Sequence, residues 1–498
     1  MILRNCRVLH TRSQPRFLGR TRISNVHGRA LSSSTSEPAD YVDVLIVGGG
    51  AVGCSLARLI NATAPQIKVG IMEARDAPPA PTADTASRIP HPRSYALSPN
   101  SLQILGSNVV SKLPLGYYES MQVWQANSPA SLTFTTRDLN ADPSKAPYLG
   151  ACVEDEPLVA TLWDEIQGST RCWTKTTLQS IDSIGDSHSL VQVTTNNGER
   201  VESAVLVGAD GGNSWIRQNL GIPRMGTEYN QHALTFTVKI DSSLRGRAFQ
   251  RFLSDGGPLA VLPTFSPDHA VIVWSTAPDT VKKWKSEPNN SELVDLLNQS
   301  LMEGAQRIPP LFEKLASSSP SSTTIGTVAS NVLYGAERVL DTIHYGLAMA
   351  SHYPIPKTIA PPKICEVVSP KYSFPLSCFQ SHQYVKGRVA LVGDAAHTVH
   401  PMAGQGLNLG LGDVQSLVTI LEKANKAGMD LSTFLNEYAT ERRRNVTISL
   451  GGIHALQRIF GSQDLALLHA KTLGMNVIQN LGPLRRQLAI AAAHGVSI

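Results

Sequence analysis

The run Tyr41-Val42-Asp43-Val44-Leu45-Ile46-Val47, followed at once by Gly48-Gly49-Gly50-Ala51-Val52-Gly53, restricts the possible fold more than any other feature of this 498-residue sequence. A short β-branched apolar run predicts a strand buried on both faces, as in a parallel sheet. Val52, Leu56, Leu59 and Ile60 then fall on one face of a helix. In such a strand-turn-helix unit, Gly48 permits the tight turn, Gly50 lets the backbone approach a pyrophosphate, and Gly53 allows the helix to lie close to the strand. The first helical turn offers unpaired N–H groups to the phosphates. A second strand, Lys68-Val69-Gly70-Ile71-Met72, delivers Glu73 where a carboxylate binds ribose hydroxyls and disfavours a 2′-phosphate. A bound adenine dinucleotide is therefore expected. The motif alone does not separate NAD from FAD.

Two later segments bear on that choice. Ala204-Val205-Leu206-Val207-Gly208-Ala209-Asp210-Gly211-Gly212 repeats the pattern of a strand ending in a small, acidic, Gly-rich turn, and Asp210 is expected to converge on the same cofactor. Strand Val389–Val392 ends at Gly393 and Asp394, whose carboxylate suits a ribityl hydroxyl. The turn Gly404-Gln405-Gly406 then starts a helix through Asn408 and Leu409. A helix N-terminus beside the N1 and C2 carbonyl region of an isoalloxazine stabilises the negative charge of the reduced ring. His397 is expected to form a structural hydrogen bond. The cofactor-binding candidates are thus Gly48, Gly50, Gly53, Glu73, Asp210, Asp394, Gly404, Gly406 and Asn408.

The segments GGGAVG, GADGGNSWIR and GDAAHTVHPMAGQGLNLGLGD resemble, in order and spacing, the three flavin motifs of the class A flavin-dependent aromatic hydroxylases. Within that class the chain looks like the ubiquinone-biosynthesis monooxygenases, the mitochondrial ring C5-hydroxylases. Arg93-Ser94-Tyr95-Ala96-Leu97-Ser98, Cys152-Val153-Glu154-Asp155 and Phe374-Pro375-Leu376 add to that likeness. The resemblance implies an α/β fold: a Rossmann-like FAD-binding domain of the para-hydroxybenzoate hydroxylase type, an interleaved antiparallel-sheet substrate domain and a C-terminal helical segment. It implies FAD as cofactor, Arg93 as a cofactor contact, and oxygen transfer from a flavin C4a-hydroperoxide to C5 of a polyprenylated 4-hydroxybenzoate-type phenol. No residue is assigned to activating the phenol. Where many class A enzymes place an arginine after Val153, this chain has Glu154-Asp155, which argues against a side-chain contact to phosphate there. Electrons are expected either from a transiently bound pyridine nucleotide or from a ferredoxin with its reductase. A hydroxylase or reductase of another aromatic or isoprenoid, and a non-catalytic flavoprotein subunit of a biosynthetic complex, stay open as alternatives.

The resulting division assigns 41–114, 151–223 and 384–445 to the FAD domain and 115–150 and 224–383 to the substrate domain. The substrate part includes alternating runs such as Ala233–Ile240 and Ala270–Trp274. A proline-bearing insertion at 334–362 reads as a surface excursion or partner contact.

Charge is unevenly spread. The formal net charge is +5. Residues 1–36 hold seven arginines (Arg4, Arg7, Arg12, Arg16, Arg20, Arg22 and Arg29), no lysine and no acid, and they end Ser-rich. This is the composition of a mitochondrial transit peptide. Without those arginines the chain carries 37 basic against 39 acidic residues. A nucleic-acid arm would favour mixed Lys and Arg with aromatic residues, so no nucleic-acid partner is expected. At the other end, 446–498 has only Asp464 against Arg458, Lys471, Arg485 and Arg486 within apolar helical repeats. Such a segment suits peripheral contact with a membrane, here the matrix side of the inner membrane, or with other ubiquinone-biosynthesis proteins. No run of about 18 truly apolar residues argues for a spanning helix. The six scattered cysteines include no C-x-x-C pair, and no metal site is expected.

Overall fold

Strand Asp40–Val47 lies inside an eight-stranded sheet, with Val44, Leu45 and Ile46 wholly buried. Burial of each such side chain favours the folded state by about 1.5–3 kcal/mol, which fixes this strand between layers of helix. Across the sheet the order is Val385–Lys386, Val389–Leu391, Arg200–Gly208, Asp40–Val47, Val69–Met72 and Arg171–Trp173. The pairs from Val389–Leu391 to Arg171–Trp173 are all parallel. Strands Val191–Thr195 and Leu178–Ile184 extend the far end of Arg200–Gly208 antiparallel. Helix Ala51–Thr63 packs on helices Asp155–Ile166 and Gly406–Lys426, with Leu56, Ile60, Leu158, Leu162, Leu411 and Leu417 in one core.

The computed structural model describes residues 40–80, 88–126, 131–139, 147–185, 189–253, 257–302, 359–400, 404–461 and 465–494. The expected transit peptide at 1–36, and the insertion at 334–362 except its last four residues, lie outside them. At that end Ile359 is held by two backbone hydrogen bonds, 2.9 and 3.0 Å, to the Gln122 amide.

A second, nine-stranded sheet runs His397–Thr398, Tyr372–Ser381, Arg224–Ile240, His269–Thr276, Pro258–Pro263, Arg247–Phe252, Ser120–Gln125 and Ser131–Thr135, with Ile364–Val367 beside the end of Arg224–Ile240. It is antiparallel except where Arg247–Phe252 meets Ser120–Gln125 in parallel, because the latter strand arrives from an earlier part of the chain. Leu234, Phe236 and Val238 face its apolar core. The alternate hydroxyls of Thr235 and Thr237 donate to the carbonyls of Pro92 and Pro90, at 3.1 and 2.6 Å. Both faces of this strand are therefore buried over Ala233–Val238, one against side chains and one against the strap 88–93.

Two expected boundaries move. Strand Leu115–Tyr118, assigned above to the substrate domain, pairs instead with Gly150–Glu154, which in turn pairs with Ser94–Leu97 in a three-stranded sheet. The division at 445/446 falls inside one helix, Leu435–Gly461, whose Tyr438, Arg442, Val446, Leu450 and Ile453 form a single buried face. Helices Leu465–Asn480 and Gly482–His494 follow. The basic character expected of this end is partly internal. Arg485 is buried against Asp138 at 2.8 Å, and Lys471 is also buried. Met475 and Ala489 pack on Leu132 and Leu139. Among the described residues no helix is long and apolar enough to cross a membrane.

Candidate functional site

The register of the parallel sheet assembles the site. Val47 is level with both Met72 and Gly208, and Gly208 is level with Leu391. The residues that follow these strands, Gly48, Glu73, Asp210 and Asp394, therefore emerge along one edge, on neighbouring strands about 4.8 Å apart. Ligands of open α/β sheets bind in the crevice beyond such carboxyl ends.

The glycines interlock by contact. At Gly48, φ is +114°, and a Cβ would lie 2.3 Å from the Ala209 carbonyl oxygen. One at Gly53 would lie 1.9 Å from the Gly48 oxygen. Gly50 differs, because a Cβ there would meet nothing within 4 Å. No neighbouring protein atom therefore demands a glycine at this position. Gly49 is clamped three ways: its N–H donates to Glu73 Oε2 at 2.7 Å, and its carbonyl accepts from Trp163 Nε1 at 2.8 Å and Cys54 Sγ at 3.2 Å.

Glu73 also accepts from the Arg75 backbone and side chain. Desolvation pushes its carboxyl up, but the Arg75 guanidinium and the Gly49 and Arg75 N–H groups outweigh it and hold the pKa below the usual value. Asp210 Oδ2 accepts from Ile216 N at 3.1 Å, while Oδ1 is buried with no partner. Asp394 sits in the short turn Gly393–Ala395, exposed to solvent yet crowded by protein, as a side chain on the wall of an open concavity is. Desolvation raises its pKa, with His397 opposing and Asp413 adding. At Gly404 φ is +60°, and helix Gly406–Lys426 makes its first internal bond from Leu409 N to Gln405 O. The N–H groups of Gly406, Leu407 and Asn408 are thus left outside the helical ladder.

Two expected contacts have other uses in the protein. The Asn408 amide is fully engaged: it accepts from Ser98 N and Ser101 Oγ and donates to the carbonyls of Ala96 and Gly404. It stitches the helix start to strand Ser94–Leu97, so only its backbone N–H remains to face a ligand. Arg93 is 65% exposed and pairs with Asp155 at 3.1 Å. An exposed pair of this kind contributes little and leaves the guanidinium able to swing. Glu154 is buried and binds Arg88 through both oxygens together with the His91 N–H. The acidic pair after Val153 thus latches the strap 88–93.

Several residues here had no local motif to announce them. Arg217 Nη1 joins the Gly212 and Ala395 carbonyls at 3.1 and 3.3 Å, tying the second cofactor-facing segment to the third. Asp413 and Arg442 lie beneath Gly393. Trp163 stands far from Gly49 in sequence, and only the packed helices reveal the contact.

The geometry fits a flavin dinucleotide: open space above Gly50, an unpartnered Asp210 oxygen, an Asp394 carboxylate with no protein partner among the described residues, and a helix N-terminus. Comparisons with known proteins agree. A family profile described as "FAD binding domain" matches residues 150–313 and 352–449. The chain is 30% identical to the ubiquinone biosynthesis monooxygenase COQ6, mitochondrial, of Xenopus tropicalis, covering 95% of this chain and 97% of that protein. It is 29% identical to that of Danio rerio, covering 98% and 97%, and 28% identical to that of Homo sapiens, covering 91% and 92%. In fold it resembles Pseudomonas aeruginosa PqsL in complex with 2-aminobenzoylacetate, at a TM-score of 0.62 and 20% identity over 88% of this chain and 99% of that one. It likewise resembles p-nitrophenol 4-monooxygenase PnpA of Pseudomonas putida, at 0.62 and 17% over 92% and 100%.

Sheet order, crevice and these likenesses together define an FAD-dependent monooxygenase with the architecture of the aromatic hydroxylases. Within that class, the match along nearly its whole length settles the family: the chain belongs to the ubiquinone biosynthesis monooxygenases.

Proposed function

We propose that this protein hydroxylates C5 of a polyprenylated 4-hydroxybenzoate-type intermediate in ubiquinone biosynthesis, using FAD and O2. The observation that carries the reading is the convergence of Gly48–Gly50, Asp210 and Asp394 on one crevice in a chain matched end to end by ubiquinone biosynthesis monooxygenases. What FAD supplies when bound is two-electron activation of O2 for transfer of one oxygen atom to an electron-rich ring.

The protein's part is to bind and orient. Gly48, Gly50 and Gly53 let the diphosphate approach the first helix, and Glu73 takes the ribose. Asp210 and Asp394 would hold the ribityl chain of FAD, and the N–H groups from Gly406 onward would hold its ring. Arg93, just before strand Ser94–Leu97, would contact the same cofactor on leaving Asp155. The strap 88–93, bonded to Thr235 and Thr237 of the nine-stranded sheet and to Glu154 of the three-stranded sheet, ties these two sheets together.

The composition of 1–36 and the mitochondrial relatives support import into mitochondria. Electrons come from a ferredoxin and its reductase in this reading. Peripheral contact with the inner membrane on the matrix side, within a complex of biosynthetic proteins, is supported by helix Gly482–His494. There Leu484 and Leu488, four residues apart, are 41% and 40% exposed and flank the exposed Arg486.

The test is chemical. Reduced holoprotein is mixed with O2 and a prenylated 4-hydroxybenzoate, and the product is read by mass spectrometry and NMR. A ring hydroxyl at C5 is expected. Hydroxylation elsewhere overturns the position, and no oxygenated product with any prenylated phenol returns the chain to the scaffold alternative.

A further inference from the structure

Helix Leu435–Gly461 lies beyond the three cofactor-facing segments, yet it grips the last of them at successive points. Tyr438 Oη donates to the Leu391 carbonyl at 2.7 Å, at the end of the strand that delivers Asp394. One helical turn on, Arg442 Nε donates to Asp413 Oδ1 at 2.7 Å, and its Nη2 donates to the Leu409 carbonyl at 3.1 Å. Asp413 is wholly buried on helix Gly406–Lys426. Its other oxygen accepts from Gly393 N at 2.9 Å and from His397 Nε2 at 2.6 Å. Because Nε2 faces a carboxylate, it carries the imidazole proton. Gly393 and His397 bracket Asp394, so both ends of the turn that aims this carboxylate hang from one buried anion.

Such an anion persists only if its donors outweigh desolvation. Burial pushes the Asp413 carboxyl up, and His397 and Arg442 more than reverse it. No nearer base takes that role: among the described residues, Arg442 is the lone Arg or Lys within salt-bridge distance of Asp413. We propose that Arg442, acting through Asp413, is a positioning residue of the flavin site, holding the Gly393–His397 turn so that Asp394 meets FAD. The inference rests on the FAD reading above and extends the site to a helix outside the cofactor-binding segments.

The experiment titrates FAD into the deflavinated full chain and follows flavin fluorescence, the visible spectrum and the flavin midpoint potential. The variants are Arg442→Met, Arg442→Lys and Asp413→Asn. The control is Arg485→Met, which breaks the equally buried Arg485–Asp138 pair, both side chains 5% exposed, on a different helix. Asp413→Asn turns an N–H donor toward one of three donors. Arg442→Met and Asp413→Asn are expected to weaken FAD binding about tenfold or more, the size seen when outer-shell partners of bound groups are lost. Both should shift the flavin spectrum and potential. Arg442→Lys, with one donor for Asp413, should fall between, and Arg485→Met should melt lower while binding FAD as the parent does. If folded Arg442→Met keeps the parental affinity and potential, or if Arg485→Met loses affinity equally, the positioning role is refuted. Should Arg442→Met not accumulate, Arg442→Lys decides, since parental affinity in that variant overturns the proposal. A parent chain that takes up no FAD refutes the cofactor reading itself, a distinct result.

Discussion

Two glycines three residues apart should fail in opposite ways when each gains a methyl group. At Gly53 the new carbon would sit 1.9 Å from the Gly48 carbonyl oxygen, a backbone atom unable to rotate away. Overpacking of this severity costs ~3 kcal/mol, and the better helix propensity of alanine returns ~1 kcal/mol. The net loss of ~2 kcal/mol lowers the melting temperature by about 2 °C in a chain of this size. At Gly50 the backbone is extended, with φ −77° and ψ −175°, and nothing lies within 4 Å of the added carbon. Gly50→Ala should therefore leave the melting of the deflavinated protein almost unchanged. Its methyl group projects into the space read as the diphosphate seat, so FAD affinity should fall at least about tenfold, or ~1.4 kcal/mol. Differential scanning fluorimetry without flavin and fluorescence titration with FAD separate the two effects. Parental affinity in Gly50→Ala would refute the placement of the diphosphate, and parental stability in Gly53→Ala would refute the interlock.

Asp394→Asn keeps shape but removes charge, and FAD affinity measured by equilibrium dialysis should drop roughly tenfold with stability little changed. Glu73→Gln should cost stability that depends on pH with a definite sign. The folded pKa of Glu73 lies below the ordinary 4.5, so the parent's advantage is full above 4.5 and vanishes as pH falls through the lower folded value. Paired melts between neutral pH and 4 test this, and an advantage that grows on acidification contradicts it. His400 is buried, and desolvation lowers its pKa to about 4. The unfolded chain therefore binds the extra proton first, and stability falls as pH drops from 6.5 toward 4, by up to ~3 kcal/mol. His400→Gln should flatten that slope in urea titrations.

The cofactor half of the molecule was legible wherever a function is written into neighbouring residues. Strands at Asp40–Val47, Val69–Met72, Arg200–Gly208 and Val389–Leu391 each carry an apolar run followed by a Gly- or acid-bearing turn, and all four lie side by side in one parallel register. Contacts made across long loops left no such trace. Arg217 and Arg442 read as ordinary helical arginines, and Asn408 reads as a ligand for cofactor although its amide is engaged by the protein. Strand Leu115–Tyr118 joins a third, small sheet, and nothing within those four residues announces that partner. The C-terminal bases read as surface charge because nothing near Arg485 in sequence announces Asp138 as its partner.

The level alignment of Val47, Gly208 and Leu391 has a consequence in time as well as in space. Neighbours in the sheet are strangers in the chain, and the last of them emerges only after most of the polypeptide exists. A growing chain that stops short of residue 389 has Gly48 and Glu73 but lacks strand Val389–Leu391 and the Asp394 turn that the sheet sets beside them. Completion of this edge of the sheet is therefore a late event in the making of the molecule.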